Sequence, residues 1–378
     1  MDIPGLRLSG LFFCEAVKPV LDAEFPDVPY SAALIGEGSE VLGFDTEMST
    51  DHHWGPRVML FLKDSDFAEY GERVRETLRH RLPHSFRGYP TNFTDPDPTD
   101  NGTQLLQAIE RGPVNHRVEI FTVRGFFLDY LDFDISLDME LADWLTFPEQ
   151  KLRAITAGAV YHDGIGLQAV RDRFGYYPHD VWLYLLAAGW ARIGEEEHLM
   201  GRAGTVGDEI GSALIGARLV RDTMRLCFLM EKQYAPYAKW FGTVFARLKC
   251  AGDLVPILHS ASLAETWQER EKHLCAAYER VAAMHNALGM TEPLPDKASR
   301  FHGRPFRVIH GDRFADAVAA QITDPAVRRI ASSRLIGGID HFSDSTALLE
   351  DQHRRPVLRR LYGDVAATAD TRRPSLRP

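Results

Sequence analysis

The segment LIGEGSEVLGFDTEMSTDHHWGPRVMLFL, residues 34–62, contains the pattern that decides the fold. One apolar run ends at Ile35, and a second extends from Val58 to Leu62. Between them, Gly36 and Gly38 predict a tight turn, because glycine lets the backbone approach a ligand closely and exposes N–H groups that suit an anion such as phosphate. The segment therefore predicts a strand, a glycine turn, a connection and a second strand.

An acidic residue and two imidazoles precede the second strand, as Asp51, His52 and His53. Carboxylate and imidazole groups are the side chains from which proteins build divalent metal sites. Their position a dozen residues after a phosphate-type turn predicts a metal ion that bridges protein and nucleotide.

Gly38-Ser39 followed by Asp51-His52-His53 resembles the signature of the nucleotidyltransferase superfamily, the fold of polymerase beta and the aminoglycoside adenylyltransferases. In that superfamily a Gly-Ser turn holds the triphosphate and an Asp-x-Asp/Glu pair holds two magnesium ions. The segment Asp51–Arg57, taken with Lys239–Gly242, resembles more narrowly a bacterial family of nucleotidyltransferase-like proteins of unknown function. The resemblance implies that Gly38 and Ser39 bind phosphates.

The chain departs from this signature at His53, which stands where the second acid is expected. An imidazole prefers transition metals, whereas magnesium prefers oxygen ligands. Three alternatives follow: the site uses one carboxylate fewer, Asp45 supplies it, or catalysis is lost.

The segment His116–Val123 is rich in β-branched and aromatic residues and predicts a third strand. Alternation places Arg117, Glu119 and Phe121 on one face. The resemblance implies a third metal-binding acid on a later strand, for which Glu119 is the candidate, with Asp129 and Asp132 in reserve. The alternative for Glu119 is an exposed strand residue paired with Arg117.

Composition restricts the class of protein. With 43 basic and 53 acidic residues the net charge is −10, which disfavours generic nucleic-acid binding. The four cysteines are widely spaced and favour a reduced, cytoplasmic setting. The sequence contains no apolar run long enough to predict a membrane span.

We expect an α/β (α+β) nucleotidyltransferase-like domain with a small mixed sheet, followed by an all-α helical bundle. Loop-forming residues between 83 and 112 predict a long surface loop, either a lid or a simple insertion. From about 141 to 290 the pattern predicts almost only helices, including one from Val181 to Met200 that Gly201 and Gly204 end. The predicted boundaries are 1–140 for the catalytic domain, 141–292 for the bundle, 293–365 for a C-terminal extension packed on it, and 366–378 for a disordered tail.

The helical domain adds further candidates. The resemblance implies a carboxylate that deprotonates the acceptor hydroxyl. The acidic run Glu195–Glu197 could supply it, with Glu196 and Glu197 as the named candidates, and the alternative is a solvated acidic face. Tyr234 and Lys239 are candidates for stacking a base and neutralising phosphate, against ordinary aromatic packing. Arg218, Asp222 and Arg225 share one helical face, which predicts an ion-pair network between the domains or a phosphate site.

The leading hypothesis is a metal-dependent enzyme that transfers a nucleoside monophosphate, most simply AMP from ATP, to a small polar acceptor. Mg²⁺ or Mn²⁺ is the expected cofactor, and Arg57 or Lys239 is expected to stabilise the leaving pyrophosphate. The alternatives are a nucleotide-binding regulatory protein of the same fold that no longer catalyses, and an Asp-His-His metal enzyme unrelated to nucleotides. The candidate site residues fall into three groups. The candidate metal ligands are Asp51, His53 and Glu119. The candidate catalytic residues are Asp51, Glu119, Glu196 and Glu197. The candidate nucleotide-binding residues are Gly38, Ser39, Arg57, Lys239 and Tyr234.

Overall fold

The computed structural model describes residues 3–51, 53–100 and 102–363, without the side chains of Thr50 and Asp51. The predicted tail, 366–378, lies outside these residues. The strands are β1 Tyr30–Leu34, β2 Arg57–Leu62, β3 Ser85–Phe86, β4 Tyr89–Pro90, β5 Arg117–Thr122, β6 Ala159–Asp163, β7 Ser299–Arg300 and β8 Arg307–Val308. The α-helices are α1 Gly5–Phe12, α2 Lys18–Glu24, α3 Asp64–Arg81, α4 Val123–Leu131, α5 Leu141–Thr146, α6 Glu149–Thr156, α7 Leu167–Asp172, α8 His179–Thr205, α9 Glu209–Met230, α10 Phe241–Phe245, α11 Ala251–Leu263, α12 Trp267–Ala287, α13 Gly311–Ala319, α14 Pro325–Ala331, α15 Ile339–Phe342, α16 Thr346–Glu350 and α17 Arg355–Leu358. A π-helical turn, Phe13–Val17, joins α1 to α2, and 3₁₀ turns cover Glu47–Asp51, Ala238–Trp240, Gln352–Arg354 and Arg359–Tyr362.

The chain divides into two compact units. The first, called the sheet unit, contains Met1–Asp138 and Lys151–Gly175. The second, called the helical unit, contains Met139–Gln150 and Tyr176–Pro378. Residues 151–175, which the sequence pattern places in the helical bundle, therefore belong to the sheet unit.

A four-stranded mixed sheet with the order β5-β2-β1-β6 forms the centre of the sheet unit. β2 is antiparallel to β1 and parallel to β5, so the C-terminal end of β1 and the N-terminal ends of β2 and β5 lie at one end of the sheet. The three strands predicted from apolar and β-branched runs are all present. β6, antiparallel to β1, interrupts a region predicted to be almost only helical. The local pattern did not indicate this strand, because its pairing partner lies far away in sequence.

Alternation along β2 and β5 separates the two faces of the sheet. One face packs into the hydrophobic core, to which Val58, Leu60, Val118 and Ile120 contribute. The alternate residues of the two strands point to the opposite face. In the register, Arg57 lies beside Arg117, and Met59 lies beside Glu119. The predicted alternation of β5 is thus confirmed, and it puts charged side chains on one face at one end of the sheet.

The helical unit is built around α8, which packs against α9 and α13. The predicted end of α8 near Met200 is wrong, because the helix continues to Thr205. Gly204 lies inside it, where an added Cβ would come within 2.1 Å of Trp267 Cγ. This glycine allows close packing rather than helix termination. No helix in the described ranges has the length and apolar content needed to cross a bilayer.

Candidate functional site

The glycine turn follows β1 at the end of the sheet where the charged strand residues lie. Gly38 has a φ of +129°, and a Cβ there would come within 2.4 Å of Arg57 Nη2, so only glycine fits without strain. The N–H of Gly36 donates to the carbonyl of Ala154 at 3.0 Å. The N–H groups of the next three residues, through Ser39, have no acceptor among the described residues. These exposed donors are the part of the turn that is available to an anion.

Arg57 holds this turn in place. Its Nε donates to Glu40 Oε1 at 2.7 Å, and its Nη2 donates to the carbonyl oxygen of Glu37 at 2.6 Å. Both charged side chains are buried. Arg57, predicted to stabilise a leaving pyrophosphate, is therefore bound to protein groups on both sides, and its role in this arrangement is to shape the turn.

The predicted metal cluster is described only in part. Asp51 ends a 3₁₀ turn, but its side chain and the whole of His52 lie outside the described residues. His53 has a left-handed backbone with a φ of 53°, and its N–H donates to the carbonyl of Gln104 at 3.0 Å. The Nδ1 of its ring contacts Nη1 of Arg117.

The contact with Arg117 determines which ring nitrogen of His53 accepts a hydrogen bond. A guanidinium only donates hydrogen bonds, so Nδ1 must accept, and the neutral ring then carries its proton on Nε2. In that state neither nitrogen presents a lone pair to a metal ion. The structure thus places His53 as an acceptor for an arginine, whereas the sequence pattern predicts a metal ligand.

Glu119 lies beside Arg117 on the same face of β5. Its Oε1 is 3.4 Å from Arg117 Nη2, and 39% of its side chain is exposed. The register of β2 and β5 places Arg117 next to Arg57. The structure therefore brings together the turn at Gly38, Arg57, His53 and Glu119, all of which were candidates, and adds Arg117 as the cation at their centre.

The other candidate acids lie on different elements of the sheet unit. Asp45 Oδ2 accepts from the N–H of Gly5 at 2.7 Å and from Trp54 Nε1 at 3.1 Å, so it anchors the N-terminus of α1. Asp132 ends α4 in the left-handed conformation, with a φ of 52°, and Asp129 is an exposed residue of that helix.

The described side chains do not fit a divalent cation. They contain no group of three or more His, Cys, Asp or Glu residues that could hold a metal ion. A cation shared by His53 and Glu119 would also have to displace the guanidinium of Arg117, which contacts both. An oxygen ligand such as the Asp51 carboxylate, outside the described side chains, would be needed in addition.

A pocket of about 400 Å³ lies along β5, the edge strand of the sheet, and Glu119 contributes to its wall. The His116 ring accepts the Val118 N–H through Nδ1 at 3.0 Å, while its Nε2 faces the Arg75 carbonyl at 3.1 Å. Burial lowers the pKa of His116, which agrees with a neutral ring in these contacts. The predicted surface loop, residues 83–112, supplies part of the wall. The pocket is lined by Arg75, Arg79, Asp95, Pro96, Gln104, Asn115, His116, Val118, Glu119, Ile120 and Phe121.

Within the helical unit, the two candidate bases already have protein partners. Glu196 pairs with Arg218. Glu197 is buried, and its two oxygens accept the backbone N–H groups of Ile309 at 2.5 Å and Gly311 at 3.0 Å. A general base needs access to the proton that it removes. In this arrangement Glu197 instead fastens the 309–311 segment to α8.

Burial of Glu197 raises its pKa from 4.5 to about 7, although the backbone donors Gly311, Ile309 and His310 oppose the shift. Because the folded chain holds this proton more tightly than the unfolded chain, the contribution of Glu197 to stability is fully present below about pH 4.5 and is lost as the pH rises to about 7. We expect a loss of about 3 kcal/mol over this range.

Urea unfolding of the wild type and of Glu197→Gln between pH 4.5 and 8 measures this contribution, as the difference in pH dependence between the two proteins. The exposed neighbour Glu195 provides the control, since Glu195→Gln should follow the wild-type pH profile. Parallel profiles for wild type and Glu197→Gln would contradict the assignment.

Of the two remaining candidates in the helical unit, Tyr234 is buried and Lys239 is exposed. Tyr234 is 3% exposed and its ring packs against Tyr176 and Tyr177, which leaves no ring face for a base in this arrangement. Burial raises the pKa of its hydroxyl. Lys239 is exposed in a 3₁₀ turn, with Nζ 4.9 Å from the centre of the Trp240 ring.

The charged stripe on α9 forms ion pairs inside the helical unit. Asp222 pairs with Arg192 at 3.2 Å and with Arg221 at 3.3 Å. Arg225 lies 3.8 Å from Glu149 and 3.7 Å from Asp340. Since these guanidinium groups face carboxylates, the contacts support ion pairing over phosphate binding. The predicted location between the domains is wrong for these pairs, because all of their members belong to the helical unit.

Sequence reasoning missed Glu40 and the central position of Arg117. The sequence contained a signal for the two arginines involved, Arg57 and Arg117, because each is the first residue of a strand whose following residues are largely apolar. A charge at the start of a buried strand requires a partner, and the nearest acids, Glu40 and Glu119, supply it.

Comparison with protein families relates part of the chain to a known group. Residues 144–241 match the model of a family described as a domain of unknown function, DUF4037. A comparison with curated proteins found no match. The matched segment covers less than half of the chain and ends at Phe241, within the Lys239–Gly242 motif. The similarity therefore concerns a family of unknown function and carries no activity with it.

Proposed function

We propose that this protein binds a nucleoside triphosphate, most simply ATP, at the end of the sheet and transfers its nucleoside monophosphate to a small polar acceptor. The observation that carries the proposal is the convergence of the turn at Gly38 with Arg117 and Glu119 where β1, β2 and β5 meet. The resemblance of this segment to the nucleotidyltransferase signature supplies the reaction class.

The residues have separable roles in this proposal. The free N–H groups of the turn through Ser39 bind phosphate oxygens, and Arg57 keeps the turn in shape. Arg117 places positive charge beside the phosphates. Glu119, which has an exposed carboxylate, and Asp51 are the acids that we assign to the reacting end of the nucleotide. We also propose a cytoplasmic location and a small-molecule acceptor, consistent with the net charge of −10.

A second candidate function is nucleotide binding without transfer. The specific observation in its favour is the position of Arg117 between His53 and Glu119, two of the predicted metal ligands. A sensor needs the phosphate-binding turn and a cation, but it does not need a metal-activated reaction. The two candidates share the binding step and differ in turnover.

We expect calorimetry to detect ATP binding to the wild type, and we expect pyrophosphate release when small hydroxylated or phosphorylated acceptors are added. Asp51→Ala and Glu119→Gln should abolish release, because they remove the proposed acids. Asp27→Ala and Glu72→Gln, at exposed positions of the same unit, should behave like the wild type. Binding without release under all conditions would favour the sensor. If none of ATP, GTP, CTP and UTP binds, both candidates are wrong.

A further inference from the structure

We infer that Arg117 is the built-in cation of this site and that it neutralises the phosphates of the bound nucleotide, so that nucleotide binding does not depend on a divalent metal. The inference rests on the proposed function and deepens it. It assigns to a protein side chain the charge that the resembled superfamily takes from metal ions.

The guanidinium of Arg117 lies between His53 and Glu119. Nη1 of Arg117 contacts His53 Nδ1, and Nη2 lies 3.4 Å from Glu119 Oε1. The cation therefore occupies the space between two residues at which the sequence pattern predicts a metal. Only 12% of its side chain is exposed, so the charge is held close to the protein and is weakly screened.

The guanidinium of Arg117 has hydrogen-bond donors that the described residues do not use. A guanidinium has five N–H donors. For Arg117, the described acceptors are the His53 ring and the long contact to Glu119, and the buried Nε has no acceptor within the described residues. Burial lowers the pKa of Arg117, but a guanidinium remains charged in proteins. A buried cation with surplus donors is suited to an anionic oxygen.

Its neighbour Arg57 provides the contrast. The two arginines are adjacent in the strand register, but Arg57 is bound by the Glu40 carboxylate and by the Glu37 carbonyl at 2.7 Å and 2.6 Å. Of the two guanidinium groups on this face, Arg117 is the one with donors to offer. The free N–H groups of the turn next to Arg57 complete a site with several donors and no requirement for a metal.

The test is calorimetric titration of the full-length protein with ATP and with inorganic tripolyphosphate, each in EDTA and in excess Mg²⁺ or Mn²⁺. We expect ATP to bind in EDTA with an affinity close to that in magnesium, and tripolyphosphate to bind more weakly because it lacks the nucleoside. Arg117→Ala should weaken binding in EDTA roughly tenfold to a hundredfold, the magnitude of a charge-assisted hydrogen bond. Arg117→Lys should recover part of this loss, since it keeps the charge but loses the planar fork.

Arg124→Ala, which removes an exposed arginine paired with Asp134 in the same unit, is the matched control and should bind like the wild type. Circular dichroism of each variant separates loss of binding from loss of folding, and the wild-type titration in EDTA needs no variant. ATP binding that appears only with a metal would overturn the inference and leave the proposed function standing. Absence of binding of ATP, GTP, CTP and UTP alike in every buffer would overturn the proposed function itself.

Discussion

Arg57→Ala is expected to lower the free energy of unfolding by about 3–5 kcal/mol and to abolish nucleotide binding. The substitution leaves the Glu40 carboxylate, which is 4% exposed, as a buried charge without its partner. It also removes the donor to the Glu37 carbonyl, so the turn that presents Gly38 loses its support. Urea unfolding followed by circular dichroism measures the first effect, and calorimetry with ATP measures the second.

A double-mutant cycle separates the ion pair from general loss of packing. Arg57→Ala combined with Glu40→Ala should cost less than the sum of the two single substitutions, because the double variant leaves no unpaired buried charge. Arg81→Ala, which breaks an exposed pair with Glu24, should cost less than about 1 kcal/mol. Additive single effects at Arg57 and Glu40 would show that the two side chains act independently, contrary to the geometry.

Asp143→Ala is expected to produce a loss of similar size, about 3–5 kcal/mol, in the helical unit. Asp143 is 2% exposed, and its Oδ1 accepts from Arg355 Nη1 at 2.6 Å and also contacts Arg359. Its Oδ2 accepts the N–H of Glu140 at 2.8 Å at the start of α5. Removal of this carboxylate breaks the buried ion pair with Arg355 and removes a helix cap. Thermal and urea unfolding measure the effect.

Two variants define the origin of the Asp143 effect. Asp143→Asn keeps an acceptor for the Glu140 N–H but removes the charge, so most of the loss should remain if the ion pair dominates. Asp344→Ala breaks the pair with Arg221 at a side chain that is 79% exposed, and it should change stability by less than about 1 kcal/mol. A full recovery by Asp143→Asn would instead assign the effect to the cap.

The buried pairs Arg57–Glu40 and Asp143–Arg355 both stabilise the fold, but only the first also shapes the proposed phosphate-binding turn. Asp143 joins α5 to α17, which are far apart in sequence, and its pair acts within the helical unit. Arg57 stabilises the sheet unit and also shapes the turn that we assign to phosphate. A variant at Arg57 therefore tests folding and binding together, whereas Arg117→Ala is the cleaner probe of charge in the site.

Local patterns were sufficient for the elements that position the candidate site. The apolar runs around the glycine turn predict β1 and β2, and alternation in the His116–Val123 segment predicts β5 with Arg117, Glu119 and Phe121 on one face. These predictions succeed because strand periodicity and the backbone freedom of glycine are properties of a few consecutive residues.

The contact partners of the candidate residues come from segments that are far apart in sequence, and no local pattern predicts such contacts. His53 and Arg117 are 64 residues apart in sequence, and their contact changes the expected metal ligand into an acceptor for a cation. β6 joins the sheet from within a region of helical pattern, and Glu197 fastens a segment more than a hundred residues away. The residue types that bring chemistry to this protein are therefore readable in its sequence. Their protonation, burial and pairing depend on packing between remote segments, because the free energy of a charged side chain depends on the groups that surround it in space.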